Sequence, residues 1–258
     1  MLTISTIIIC GTAALAGGFI DAIAGGGGLL TVPALLVCGL PPHMTLGTNK
    51  LGAVLGTTVA LFNFSRHKLV NWRLALSGIG FSLFGSWLGA LLALKLEPEI
   101  LAKVLVILLP VGMISTFIPG KNKNAPSKPL AGLALWILLP VVCLCIGVYD
   151  GFFGPATGSF LIIALHWILR LDLLESSGTA KAFNLASNLA GAVSFILAGA
   201  VLWELGLMMA ALLMLGNWLG STFAIRVGAK AVKRFLFIAL GILLLTLIWQ
   251  QFLQPLLG

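Results

Sequence analysis

Charge is what this sequence has least of. Seven acids and fifteen bases make only 9% of the 258 residues charged, where a soluble domain carries about 25%. With 60% of the residues hydrophobic and a mean hydropathy of +1.13, the chain reads as one solvated by hydrocarbon. No polar run is long enough to build a separate soluble domain; the longest is Lys121–Lys128. Histidine is scarce as well, and His43, His67 and His166 share no helical spacing, so neither a metal nor any other cofactor is expected. The four cysteines, Cys10, Cys38, Cys143 and Cys145, sit in apolar runs without a histidine at ligand spacing and read as small buried hydrophobes. No Lys or Arg precedes the first apolar run, which argues against a cleaved signal peptide. The net charge of +8 is no nucleic-acid footprint, because the bases cluster in short loops between apolar runs. No nucleic acid is expected as a partner; the lipid bilayer is.

What is abundant is continuous apolarity in pieces of membrane length. The runs 46–65, 74–94 and 101–118, and later 178–199, 204–225 and 235–253, each come close to the ~20 residues a helix needs to cross ~30 Å of hydrocarbon. Their apolarity does not alternate with period two, which excludes a closed barrel. Ahead of each set lies a less regular segment, 2–40 and 130–170. Each has a long apolar arm, then a breaker (Gly25-Gly26-Gly27-Gly28, or Gly154-Pro155-Ala156-Thr157-Gly158), then a return arm too short to cross alone. The expected fold is all-α and polytopic: two inverted-topology repeats, each of three full spans plus one broken or re-entrant helical segment.

The repeat is visible in the residues. Gly18-Phe-Ile-Asp21-Ala-Ile-Ala-Gly25 returns as Gly147-Val-Tyr-Asp150-Gly-Phe-Phe-Gly154, and Gly47-Thr48-Asn49-Lys50 as Gly178-Thr179-Ala180-Lys181. From Gly47 onward an offset of 131 pairs Phe64 with Phe195, Trp72 with Trp203, Gly85 with Gly216, Trp87 with Trp218 and Gly89 with Gly220. The aspartate motif pairs at 129, so two residues are inserted between the motifs of the second half. This divides the chain into a first repeat 1–120, a linker 121–129 and a second repeat 130–258, together one integral membrane domain. Loop charge sets the orientation. The 66–73 loop carries Arg66, Lys68 and Arg73 while its counterpart 197–204 carries only Glu204; 95–103 is balanced while 226–234 holds four bases. Equivalent loops then face opposite sides, and the linker, with three lysines, is cytoplasmic.

The chemistry should sit where polar residues interrupt this pattern. Asp21 and Asp150 are the only acids deep in apolar sequence, and an ionised carboxylate there costs ~3 kcal/mol or more unless it is partnered. Each could instead cap the helix that restarts after the glycines. The glycines Gly25, Gly26, Gly27, Gly28, Gly154 and Gly158 let the backbone leave helical geometry and offer N–H groups at a helix start to an anion; close helix packing is the competing use. Lys50 and Lys181 open matching spans beside Thr48, Asn49 and Thr179, and would supply positive charge or else snorkel to headgroups. Asn184 and Asn188 continue down the face of Lys181, with Ser187 one position before the latter. The first half has Gly56 and Thr57 where the second has Ser187 and Asn188, so the site is expected to be asymmetric.

These motifs, with Gly28-Leu-Leu-Thr-Val-Pro33, Gly158-Ser-Phe160 and Ala180-Lys181-Ala-Phe-Asn184-Leu-Ala-Ser187-Asn188, closely resemble the TauE/SafE superfamily of sulfite exporters and toluene-sulfonate uptake permeases, in particular its YfcA-type branch. The resemblance covers essentially the whole chain. It implies a multi-pass carrier of bacterial inner-membrane type, with sulfite, sulfonates and related organic anions as the substrate class.

The function expected from sequence is therefore secondary transport of a small anion by alternating access, not catalysis, with a homodimer left open. The alternatives are a passive anion channel, an intramembrane enzyme, for which no His–Ser–acid or metal cluster is visible, and a non-transporting assembly factor. The orientation has a direct check. Alkaline phosphatase fused after residue 124 is expected to be inactive and after residue 200 active; the reverse pattern overturns the assigned topology.

Overall fold

A carbonyl or amide exposed to hydrocarbon has no water to bond, so a chain of this composition must satisfy its backbone within helices. The computed structural model describes residues 3–105 and 132–228, and every regular element among them is helical. In order these are α1 (Ile4–Ala24), α2 (Gly28–Val37), α3 (Pro42–Arg66), α4 (Trp72–Lys95), α5 (Leu133–Phe152), α6 (Thr157–Ile163, running into a π-helical turn Ala164–Ile168), α7 (Leu173–Leu197) and α8 (Trp203–Val227). Residues 98–105 are also helical.

Five of these are long and apolar enough to cross a membrane: α1, α4, residues Leu135–Phe152 of α5, α7 and α8. The run 46–65 lies inside α3, which at 25 residues is as long as α7. It is less apolar because it buries Thr45, Thr48, Asn49, Lys50, Thr57 and Asn63; those groups are shielded by neighbouring helices and do not face lipid. The segment 2–40 is a full-length helix, a glycine break and a ten-residue return arm, as its composition suggested. Most of the run 101–118, the linker 121–129 and the run 235–253 lie outside the described residues.

Local signals set the ends. Pro42 occupies the first turn of α3, where its missing N–H costs nothing. Asn71 accepts the Leu74 N–H at 3.2 Å to start α4, and Asp172 accepts the Leu174 N–H at 3.0 Å to start α7, each satisfying an otherwise orphaned donor. α3 and α7 begin and end 131 residues apart, and α4 and α8 both open on a tryptophan. The two inserted residues fall between Thr157 and Leu173, the stretch containing the π turn; a wider turn is how a helix takes up extra chain.

Helices of the first stretch lie against helices of the second. α1 and α3 pack on α8, while α5 and α7 pack on α4. Lipid supplies no hydrophobic drive between helices, so close backbone approach has to hold them. The glycines paired at offset 131 provide it. A Cβ on Gly85 or Gly89 would lie 2.4 Å from the Leu144 carbonyl oxygen or 2.0 Å from that of Val148, and on Gly216 or Gly220 2.3 Å from Leu15 O or 2.2 Å from Phe19 O. Two hydroxyls brace the same assembly. Thr48 Oγ1 accepts the Leu202 N–H and Thr179 Oγ1 accepts the Asn71 N–H, both at 3.0 Å.

Trp72, Trp87, Trp136, Trp167, Trp203 and Trp218 are all at least 40% exposed, on the outer surface where an amphipathic ring suits the membrane. Gly89→Leu should force α4 from α5 and lower the melting temperature in detergent by about 5 °C or more. Gly80→Leu, with nothing within 4 Å of its added Cβ, should leave it nearly unchanged. Equal effects would show that the close approach carries no stability.

Candidate functional site

Both helix breaks rest on a residue in the left-handed region, Gly25 at φ +77° and Gly154 at φ +95°, where a side chain would be strained. The broken ends then meet. Ser159 donates its N–H to Gly25 O at 3.2 Å and its hydroxyl to Ala24 O at 2.6 Å. A Cβ on Gly25 would sit 2.1 Å from the Gly158 carbonyl carbon, so the contact tolerates no larger residue. The two interrupted elements of the sequence are in direct backbone contact.

Around this contact stand two reciprocal ion pairs. Lys50 Nζ lies 2.6 Å from Asp150 Oδ2, and Lys181 Nζ 3.0 Å from Asp21 Oδ2. Each joins a lysine of one stretch to the aspartate before the break of the other. The Lys50, Asp150 and Lys181 side chains are at most 2% exposed and that of Asp21 14%, so neither lysine reaches a headgroup. From sequence the two lysines are expected to supply positive charge to the site. Instead a carboxylate neutralises each, because an unpaired ion at this burial costs several kcal/mol. Lys181 also donates to the backbone carbonyl of Asp21. Asp21 Oδ1 takes the Gly27 N–H only at a long 3.4 Å, so its capping of α2 is secondary to its ion pair.

The polarity of the neighbouring amides follows from Lys50. An ammonium can only donate, so the Asn188 atom 3.0 Å from it is Oδ1. Asn188 Nδ2 then donates to Asn184 Oδ1 at 3.1 Å, which leaves the Asn184 amide nitrogen without a partner among the described residues. The Thr31 hydroxyl donates to Asn49 Oδ1 at 2.5 Å, which leaves the Asn49 nitrogen over. Two side-chain donors are unused in the middle of the bundle.

They line a cavity of ≈ 30 Å³, room for about two waters. Of the residues singled out in the sequence, Asp21, Gly25, Gly27, Gly28, Asn49, Lys50, Asp150, Gly154, Gly158, Asn184 and Asn188 form its wall. Gly26, Thr48, Thr179 and Lys181 do not. The two threonines brace helix starts, and Lys181 stands behind Asp21. The wall also contains Thr31, Ala53, Thr57, Leu213 and Asn217, which sequence reasoning gave no role. For Asn217 a signal existed: an amide inside an apolar span must find a partner. The wall is asymmetric, since Lys50 belongs to it and Lys181 does not.

Known proteins match the chain along most of its length. The family model described as "Sulfite exporter TauE/SafE" matches residues 9–247. The chain is 35% identical to "Probable membrane transporter protein YfcA" of Escherichia coli (strain K12) over 95% of this chain and 90% of that one. It is 37% identical to a "Probable membrane transporter protein" of Haemophilus influenzae over 90% and 91%. It belongs to the TauE/SafE family. A "Probable membrane transporter protein ORF9" of Sinorhizobium sp is also 37% identical, over 88% and 86%. No solved structure matches the chain.

The remaining reactive side chains of this TauE/SafE protein are placed away from the cavity. His43, His67 and His166 each put a ring nitrogen on a backbone carbonyl, at 3.1, 2.8 and 2.7 Å, and among the described residues no group of three or more His, Cys, Asp or Glu could hold a metal ion. The cysteines are less uniform than their apolar context suggested. Cys10 and Cys143 are buried, Cys38 is half-buried and Cys145 is exposed, because it lies on the outward face of α5.

The ion pair makes a prediction about stability. Lys50→Met or Asp150→Asn alone strands a buried polar or charged partner, and each should cost about 3–5 kcal/mol. The double variant, with no charge left to strand, should recover much of that loss. Unfolding in detergent measures all three; additive losses would mean that the two groups are not coupled.

Proposed function

We propose that this TauE/SafE protein is an inner-membrane carrier of a small anion, a sulfur-containing oxyanion, a sulfonate or a related organic anion, moved by alternating access. The relatives' names support a transporter role, and "Sulfite exporter" as the family's description supports the substrate class. The observation that carries the anion reading is the pair of leftover donors on Asn49 and Asn184 at the cavity wall, beside the Lys50–Asp150 pair. Lys50 polarises the asparagine chain so that it ends on an N–H, and an oxyanion presents the acceptors such a wall lacks.

A cavity for about two waters is smaller than a sulfonate, so binding requires the walls to part. That suits a carrier, which closes around an empty site, better than a channel with a standing pore. The Lys50–Asp150 pair gives this step a chemical form: an arriving anion competes with the Asp150 carboxylate for the ammonium and the amide donors. Protonation of the displaced carboxylate would couple transport to protons.

Purified protein in proteoliposomes should show counterflow, the uptake of labelled ethanesulfonate against trapped unlabelled ethanesulfonate. Uptake without exchange acceleration would favour a channel. Asn184→Leu should weaken ethanesulfonate binding about tenfold, the loss of one hydrogen bond to a charged group, and Lys50→Ala should abolish it. Wild-type binding in both variants would remove the cavity from the transport path.

A further inference from the structure

The cavity wall holds a buried amide acceptor that has no hydrogen-bond partner among the described residues. Asn217, on α8, is 1% exposed. Its Nδ2 donates to Leu213 O at 3.0 Å, and a carbonyl can only accept, so the amide cannot be turned round. Oδ1 is thereby fixed as the free end, and it is buried with no hydrogen-bond partner among the described residues. A leucine would fill the same space without this penalty. The matched position 131 residues earlier is Ser86, which is complete in itself: its hydroxyl donates to Ser187 O at 2.5 Å, and it is not part of the cavity wall. Of the two equivalent positions, the one with an unmet acceptor is the one that lines the cavity. The glycine at 56 makes room for it; a Cβ there would sit 2.7 Å from Asn217 Nδ2, where the second stretch has Ser187.

We infer that Asn217 is a specificity-determining residue that selects anions bearing a hydrogen-bond donor, such as a hydroxyl or ammonium group beside the anionic head. The inference rests on the anion reading above and narrows it. Asn49 and Asn184 offer N–H groups to the ligand's oxyanion; Asn217 offers an oxygen, which repels an oxyanion and rewards a donor. A site built to hydrogen-bond a substrate hydroxyl discriminates strongly against the analogue that lacks it, because the protein group is then left unpaired.

The test uses two isosteric ligands, 2-hydroxyethanesulfonate and 1-propanesulfonate, titrated against the full-length protein in nanodiscs by calorimetry. The wild type should bind the hydroxyl compound about tenfold or more tightly, and in Asn217→Leu the ratio should fall to about one. Should the leucine variant fail to fold, Asn217→Ala removes the amide acceptor with less bulk and should collapse the ratio in the same way. Equal wild-type affinities, or a ratio unmoved by both variants, overturn the donor requirement while leaving anion binding in place. No binding of either sulfonate to the wild type overturns the anion reading and this inference together.

Discussion

A charge in hydrocarbon must have a partner, and the arrangement of this protein follows from that constraint. Each of the two buried lysines could have been neutralised by an acid on its own stretch of chain. Instead Lys50 takes Asp150 and Lys181 takes Asp21, so neither stretch is electrostatically complete alone. The pairing requires α1 and α5 to stop where their aspartates stand beside α7 and α3 respectively. The glycine breaks accomplish this and bring the two ends into backbone contact. The glycines of α4 and α8 then let α5 and α1 seat closely enough to hold those ends. Removing the aspartates would leave these contacts without an evident reason.

Much of this was legible in the residues because membrane sequences make polar groups conspicuous. The two Asp–Gly motifs and the two lysine motifs mark the residues that form the two buried ion pairs. The offset of 131 also pairs Gly85 with Gly216 and Gly89 with Gly220, all four at close helix contacts. What sequence could not give was the partner of each charge. Spacing says that Lys50 and Lys181 are equivalent, not that they reach across to the opposite stretch, so the lysines read as free cations when they are neutralised. Thr48 and Thr179 show a related limit: a buried hydroxyl beside a site and one bracing a helix start look alike in sequence. Asn217 escaped because its meaning is relational, an amide whose nitrogen is spent and whose oxygen is not.

The departure from symmetry is as informative as the symmetry. Lys181 is screened from the cavity by Asp21, while Lys50 faces it with Asn188 and, through it, Asn184. The positions equivalent to Asn184, Ser187 and Asn188 are Ala53, Gly56 and Thr57, a smaller and less polar set. Space is thereby opened on the side of the first stretch, and Asn217 extends into it against Gly56. A perfectly symmetric bundle would present the same groups twice and favour a ligand of matching symmetry. Here both aspartates line the cavity but only one of the two lysines does, so its wall is chemically uneven.

The packing also constrains how a transport cycle could move. The repeats of the sequence are not the bodies of the fold, because α8 belongs with α1, α2 and α3, and α4 with α5, α6 and α7. Within each group the contacts are the tight glycine approaches, which resist sliding. The groups meet chiefly along α3 and α7, and where α1 touches α6. The cavity lies on that seam, and so do both ion pairs. Opening it therefore separates charges as well as surfaces, and an ammonium left without its carboxylate in a dry interior costs several kcal/mol. On the carrier reading proposed above, an anion that replaces a carboxylate on Lys50 would remove part of that cost, so that substrate binding and the release of the seam would be one event.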